Sequence, residues 1–143
     1  MKPLSPHFYR IITLDLDGTL TNSQKVITPH TFEALMRAQR EGVRIVLASG
    51  RPTYGISSLA QQLQLDKFGG FVLSYNGGRI IDWSTEKAIY SQTVDTDLVP
   101  TLHTFAESAK LPIVTYQSNA ILASFNEGEY LAEEARINGM TVV

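Results

Sequence analysis

The 143 residues carry 12 Lys and Arg against 14 Asp and Glu, a net charge of −2, and 43% of them are hydrophobic. That is enough chain for one ordinary domain or two small lobes, and the scattered charge gives no basic footprint for nucleic acid or an anionic membrane. Cysteine is absent, which excludes disulfides, thiolate metal sites and a cysteine nucleophile, and no apolar run approaches the ~20 residues of a membrane span.

The first ten residues hold two prolines and no apolar h-region. They read as a loose leader rather than a signal peptide, so a cytoplasmic location is expected. Residues 11–16 are apolar on both faces, the pattern of a central parallel strand. A polar loop over 20–27 leads to Thr28-Pro29, a helix N-cap followed by a proline at the first helical position. Phe32, Leu35, Met36 and Gln39 form the inner stripe of that helix, and Gly42 stops it. Residues 43–48 are a second buried strand, running into Ser49-Gly50-Arg51-Pro52. A second helix carries Ile56, Leu59, Ala60 and Leu63 on one face. A turn is expected over 66–70, and residues 71–74 are a third apolar strand ending at Tyr75-Asn76-Gly77-Gly78. Strand, helix, strand, helix, strand predicts an α/β fold with a right-handed, parallel, doubly wound sheet.

Beyond residue 78 the pattern changes. Residues 79–82 and 87–93 read as a hairpin in which Trp83 and Tyr90 pack. Thr96 is placed as the cap of a helix over 97–110, with Leu98, Leu102, Phe105, Ala106 and Ala109 inward and Pro100 in the first turn. Residues 112–116 and 120–125 are an antiparallel pair. Asn126 caps a last helix that stops near Gly139, and residues 140–143 begin another strand. The expected organisation is a core over 1–82 followed by an α+β cap over 83–143. Three histidines, His7, His30 and His103, are dispersed without metal-ligand spacing. Glu127, Glu129, Glu133 and Glu134 read as a solvated helix face.

In a doubly wound sheet, ligands bind at the carboxyl ends of the strands. All three first-lobe strands end in small or polar residues, so their ends should converge on one site. Asp15 stands at the end of its strand, and Asp17 lies on the same side one pleat further on. Two close carboxylates can divide into an ionised nucleophile and a proton donor, or share a hard divalent cation such as Mg²⁺ with a phosphate oxygen and waters. Gly18 lets the amides around Thr19 form an anion nest. Together these groups suit phosphoryl transfer to a carboxylate.

The segments LDLDGTL at 14–20 and LASGR at 47–51 resemble the haloacid dehalogenase-like superfamily, in particular its Cof-type sugar-phosphate phosphatases. YNGG at 75–78 is similar to the Cof-type exit from core to cap. The resemblance implies that Asp15 is the nucleophile and a Mg²⁺ ligand. It implies that Asp17 is the general acid and base, with its main-chain carbonyl on the metal, and that Ser49 binds the phosphoryl group. Gly18, Thr19, Gly50, Arg51 and Asn76 follow as phosphate- or substrate-side contacts, Arg51 being equally readable as a surface charge at a helix start. A cap inserted after the third strand also fits the Cof type. The resemblance further implies a third-motif lysine and a Gly-Asp-x-x-x-Asp acidic motif, and no Gly-Asp occurs here. The chain therefore reads as an N-terminal portion, with the strand carrying Asp15 at a sheet edge, open to self-association.

The expected function is a Mg²⁺-dependent phosphatase on small phosphorylated metabolites, sugar phosphates first, acting through an aspartyl-phosphate. The alternative is a non-catalytic phosphate- and metal-binding or regulatory remnant of such an enzyme. A receiver-like signalling domain fits badly, because residues 71–74 lack the third-strand acid it would phosphorylate.

Overall fold

The computed structural model describes residues 10–124 and 128–143. The leader through residue 9, with His7, lies outside the described residues. So do Phe125, Asn126 and Glu127, where the sequence places a strand end, a helix cap and the first acid of the last helix.

The β-branched run at the start forms β1 (Ile11–Asp15). Helix α1 (Pro29–Arg40) begins as its cap predicts: Thr28 is extended, and its Oγ1 accepts the Thr31 N–H at 3.3 Å. Leu35, Met36 and Gln39 are buried on its inner side. Gln39 reaches across to the end of the next helix, donating from Nε2 to the Leu63 carbonyl at 2.9 Å. Strand β2 (Arg44–Ala48), helix α2 (Thr53–Gln62) and strand β3 (Phe71–Ser74) follow. The turn expected at 66–70 is a short helix, α3 (Leu65–Phe68), flanked by Gln64 and Gly69 in left-handed conformation.

Strands β1, β2 and β3 are adjacent and parallel, with Ile12 opposite Ile45 and Leu47 opposite Val72. Because the order advances in one direction, right-handed crossovers put α1 and α2 on the same face. The packing agrees: Leu35 from α1 and Ile56, Leu59 and Ala60 from α2 join Ile45, Leu47 and Val72 in one core. The opposite face is thinly covered. Ile11 is 54% exposed, Thr13 and Asp15 are exposed, and Phe71 and Leu73 are half-buried. The apolar run of β1 thus reads as a central strand in sequence but, among the described residues, sits at the sheet edge.

Strands β4 (Arg79–Asp82) and β5 (Lys87–Ser91) extend this sheet antiparallel, making it five-stranded and mixed. Asp82 ends β4 and Trp83 opens the hairpin turn, so the first sheet continues to Ser91. Trp83 packs against the main core, whereas Tyr90 is exposed.

The remaining elements are α4 (Val99–Ala109), β6 (Val114–Gln117), β7 (Ala120–Ala123), α5 (Glu129–Asn138) and β8 (Thr141–Val142). They build a second sheet in the order β6, β7, β8, antiparallel then parallel. Two expectations are corrected here. Asp95 rather than Thr96 caps the turn before α4, accepting the Asp97 N–H at 3.1 Å. The stripe expected to face inward on α4 is largely open: only Ala106 is buried, and Phe105 is 66% exposed. The small core of this sheet is Ile121, Leu131 and Met140. It forms on the side of α5, leaving α4 with an apolar face and little to bury it against. Among the described residues no helix is long and apolar enough to cross a membrane.

Candidate active site

The sheet register aligns the three parallel strand ends. Asp15 pairs with Ala48, and Ala48 with Leu73. The loops beyond them are laced together through the backbone. Ser49 N–H donates to Leu73 O at 2.9 Å, Asn76 N–H to Ser49 O at 3.1 Å, and Tyr75 N–H to Arg51 O at 3.0 Å. Tyr75 and Asn76 both adopt positive φ to make those contacts. Gly50 lies so close to the Asn76 side chain that a Cβ there would meet Asn76 Oδ1 at 3.0 Å. Ser49, Gly50, Arg51 and Asn76 therefore share one rim.

The first loop folds back on its own strand. Leu20 N–H donates to Asp15 O at 3.1 Å, and the N–H and hydroxyl of Thr21 both donate to Leu16 O at 2.9 Å. Leu20 and Thr21 are buried anchors, while Asp15, Asp17, Gly18 and Thr19 stay exposed above them. Gly18 has φ +83 with open space where a Cβ would sit, so the backbone angle and not crowding calls for glycine.

Asp17 is the most constrained charge of the loop. Arg51 grips it with both arms of a fork, Nε to Oδ2 at 2.9 Å and Nη2 to Oδ1 at 2.6 Å. Lys25 Nζ donates to Oδ1 at 2.7 Å. These cations, Arg51 first, outweigh the partial burial and hold the Asp17 carboxyl down at about 2, well below its ordinary 3.8. Arg51 is not the surface charge that the sequence also allowed. Its side chain is 9% exposed, and Nη1 also donates to the carbonyls of Gly55 at 3.3 Å and Ile137 at 3.2 Å.

Lys25 was missed in sequence. The loop presenting it is organised by Asn22, whose Oδ1 accepts the N–H groups of Gln24 and Val26 at 2.9 and 3.2 Å. An Asn followed by Ser in a polar loop was the available signal for such a turn. Ser49 Oγ accepts the Arg51 N–H at 3.2 Å, which leaves its hydroxyl proton free to donate to a ligand. Gly50 and Asn76 stand beside it on the rim, and Thr19 is exposed on the first loop. Among the described residues no group of three or more metal-capable side chains forms, so Asp15 and Asp17 are the acids on hand. His30 lies in the first turn of α1, and His103 faces Glu107 on α4 at 3.5 Å. Glu134 departs from the solvated face expected of it. It accepts the Tyr116 hydroxyl at 2.8 Å and the Asn138 amide at 2.8 Å. An apolar groove of about 540 Å³, lined by Val94, Leu102, Val114, Leu122 and Val143 among others, lies in the second sheet away from these acids. The groove is mostly apolar, with His103, Thr115 and Ser124 as its polar members, whereas the loop gathers carboxylates and cations together.

Known proteins resemble the chain over most of its length. The family described as haloacid dehalogenase-like hydrolase matches residues 12–139. A protein of Streptococcus pyogenes serotype M6, named provisionally as a phosphatase, is 32% identical over 136 residues, covering 93% of this chain and 50% of its own length. The 5-amino-6-(5-phospho-D-ribitylamino)uracil phosphatase YwtE of Bacillus subtilis is 28% identical over 118 residues, 82% of this chain and 39% of that protein. A haloacid dehalogenase-like hydrolase from Bacteroides thetaiotaomicron superposes with a TM-score of 0.90 at 46% identity, covering 95% of this chain and 51% of that one. The chain spans about half the length of the curated relatives it matches.

Proposed function

Since the chain belongs to the haloacid dehalogenase-like hydrolase family, we propose that it carries the nucleophile half of a Mg²⁺-dependent phosphatase site for small phosphorylated metabolites, sugar phosphates first. The observation that carries this reading is the Asp15–Asp17 loop at the level ends of three parallel strands, with Arg51 and Lys25 beside it. The YwtE relative, whose named substrate bears a phosphorylated ribityl chain, supports a phosphorylated polyol or sugar as the substrate class. In this reading residues 1–82 are core and residues 83–143 the beginning of a Cof-type cap.

Asp15, exposed at the end of β1, is the nucleophile. One of its carboxylate oxygens attacks phosphorus while the bond to the leaving oxygen breaks. Asp17 gives that oxygen its proton. Water then attacks the aspartyl-phosphate, Asp17 takes the water's proton, and Asp15 is regenerated with release of phosphate. Gripped by Arg51 and Lys25, Asp17 is held in its proton-accepting form. Donation requires those cations to turn toward the phosphoryl oxygens, for which Arg51 has the right fork. Ser49, Thr19 and the amides near Gly18 complete the cradle, with Gly50 and Asn76 on the substrate side. Two acids on an exposed loop fit a hard cation that keeps several waters, Asp15 through its carboxylate and Asp17 through its carbonyl. Mg²⁺ so held would offset the charge that builds on the phosphoryl group.

The test assays this chain, and a chain continuing past Val143, against a panel of sugar phosphates with Mg²⁺. Turnover that falls by roughly three orders of magnitude or more in Asp15→Asn is the expected result. Metal and phosphate binding without turnover by either chain would favour the binding or regulatory reading. Because β1 is an edge strand among the described residues, with Ile11 exposed, the same samples should be checked for self-association by sedimentation.

A further inference from the structure

Arg51 does more than hold Asp17. Its third nitrogen, Nη1, reaches the carbonyl of Ile137 at 3.2 Å, in the last turn of α5 and 86 residues away in the chain. Carbonyls at a helix C-terminus lack intrahelical donors and carry the negative end of the helix dipole. A buried guanidinium is a matched partner for one. The two segments are also shaped to meet at this point. Gly55 on α2 packs against Asn138, and a side-chain carbon at Gly55 would overlap the Asn138 amide. Asn138 is fixed in turn by its Nδ2 bonds to the carbonyl and the carboxylate of Glu134, at 2.9 and 2.8 Å. The same Glu134 carboxylate receives the Tyr116 hydroxyl, and the Tyr116 ring lies 5.8 Å from that of Tyr75 at the exit from β3.

We infer that Arg51 is a latch between the catalytic loop and the cap, a positioning residue whose grip on α5 depends on the carboxylate of Asp17. The logic is geometric. A guanidinium is planar and its donors are fixed relative to one another. With Nε and Nη2 committed to Asp17, Nη1 is aimed at Ile137 O. Remove the carboxylate, or draw the fork onto a phosphate, and the aim is lost. The charge state of the loop and the position of α5 are therefore coupled, and the coupling acts in both directions. The proposal rests on the reading of this loop as a phosphoryl site for its meaning, but not for its test.

The chain has no cysteine, so Glu33→Cys on α1 and Tyr130→Cys on α5, both exposed, give a clean pair of spin labels. The unmodified site should show one narrow distance population. Asp17→Asn should broaden it at least about twofold, although the bonds of Asp17 run to Lys25 and Arg51 and not to α5. Arg51→Ala should do the same. Arg51→Lys should stay broad, because an ammonium can pair with Asp17 but has no second arm for Ile137. An unchanged distribution in Asp17→Asn, or a narrow one restored by lysine, overturns the latch. Should the Arg51 variants fail to fold, inorganic phosphate titrated onto the unsubstituted site is the second probe. Phosphate that binds and broadens the distances supports the coupling, and phosphate that binds without effect overturns it. Absence of phosphate binding counts against the phosphatase reading instead, and Asp17→Asn then decides the latch alone.

Discussion

Helices α2 and α4 have similar length and both alternate apolar and polar residues, yet they meet different fates. Ile56, Leu59 and Ala60 of α2 are buried against β2 and β3, whereas α4 buries Ala106 and exposes Phe105. The difference lies in what each helix finds across from it. Helix α2 has strands on one side and α5 on another; α4 has an open groove. A stripe specifies which face of a helix can be buried, and burial itself depends on a partner surface.

The sharpest way to break this contrast is to truncate one side chain from each region and follow urea unfolding. Leu47→Ala, at a position with no exposure, should cost about 3 kcal/mol. Next comes the seam between the regions: Gly55→Ala must push Asn138 away, and a loss of about 1–3 kcal/mol is expected together with faster proteolysis of α5. A melt that tracks the unsubstituted chain would show that α5 does not rest on α2. The third is a pH effect. The carboxyl of Asp17 is lowered in the folded state, so its contribution is fully present above about 3.8 and is lost as pH falls toward about 2. With the side chain 37% exposed, solvent screening limits this to about 1 kcal/mol. Comparing the acid limb of the stability profile with that of Asp17→Asn isolates it, and parallel limbs would contradict the pairing. The smallest effect belongs to Phe105→Ser on α4, expected within about 0.5 kcal/mol. A large loss there would mean that α4 is packed after all.

Local chemistry was legible in the sequence. The strand ending in Asp15, the Thr28-Pro29 helix start and the βαβαβ order all depend on neighbours within a few residues, and the motif containing Asp15 and Asp17 led to the family. What could not be read was pairing across distance. Arg51 and Asp17 are 34 residues apart, and periodicity is silent on which cation meets which carboxylate. Lys25 escaped notice because it sits in a polar loop whose turn is made by a side chain, Asn22. The inward face assigned to α4 failed for the related reason that a pattern on one element says nothing of its partner.

The side of β1 that carries no strand among the described residues has a directional meaning. The backbone groups along Ile11–Asp15 that face away from β2 form a template, and β1 runs in the same sense as β2 and β3. A further strand docked there in that same sense would finish beside the loop, its carboxyl end level with Asp15. Whatever side chains such a strand carried at its tip would be delivered to Asp15 from the side opposite Ser49. The edge thus gives any added segment a polarity and a register as well as a place to bind.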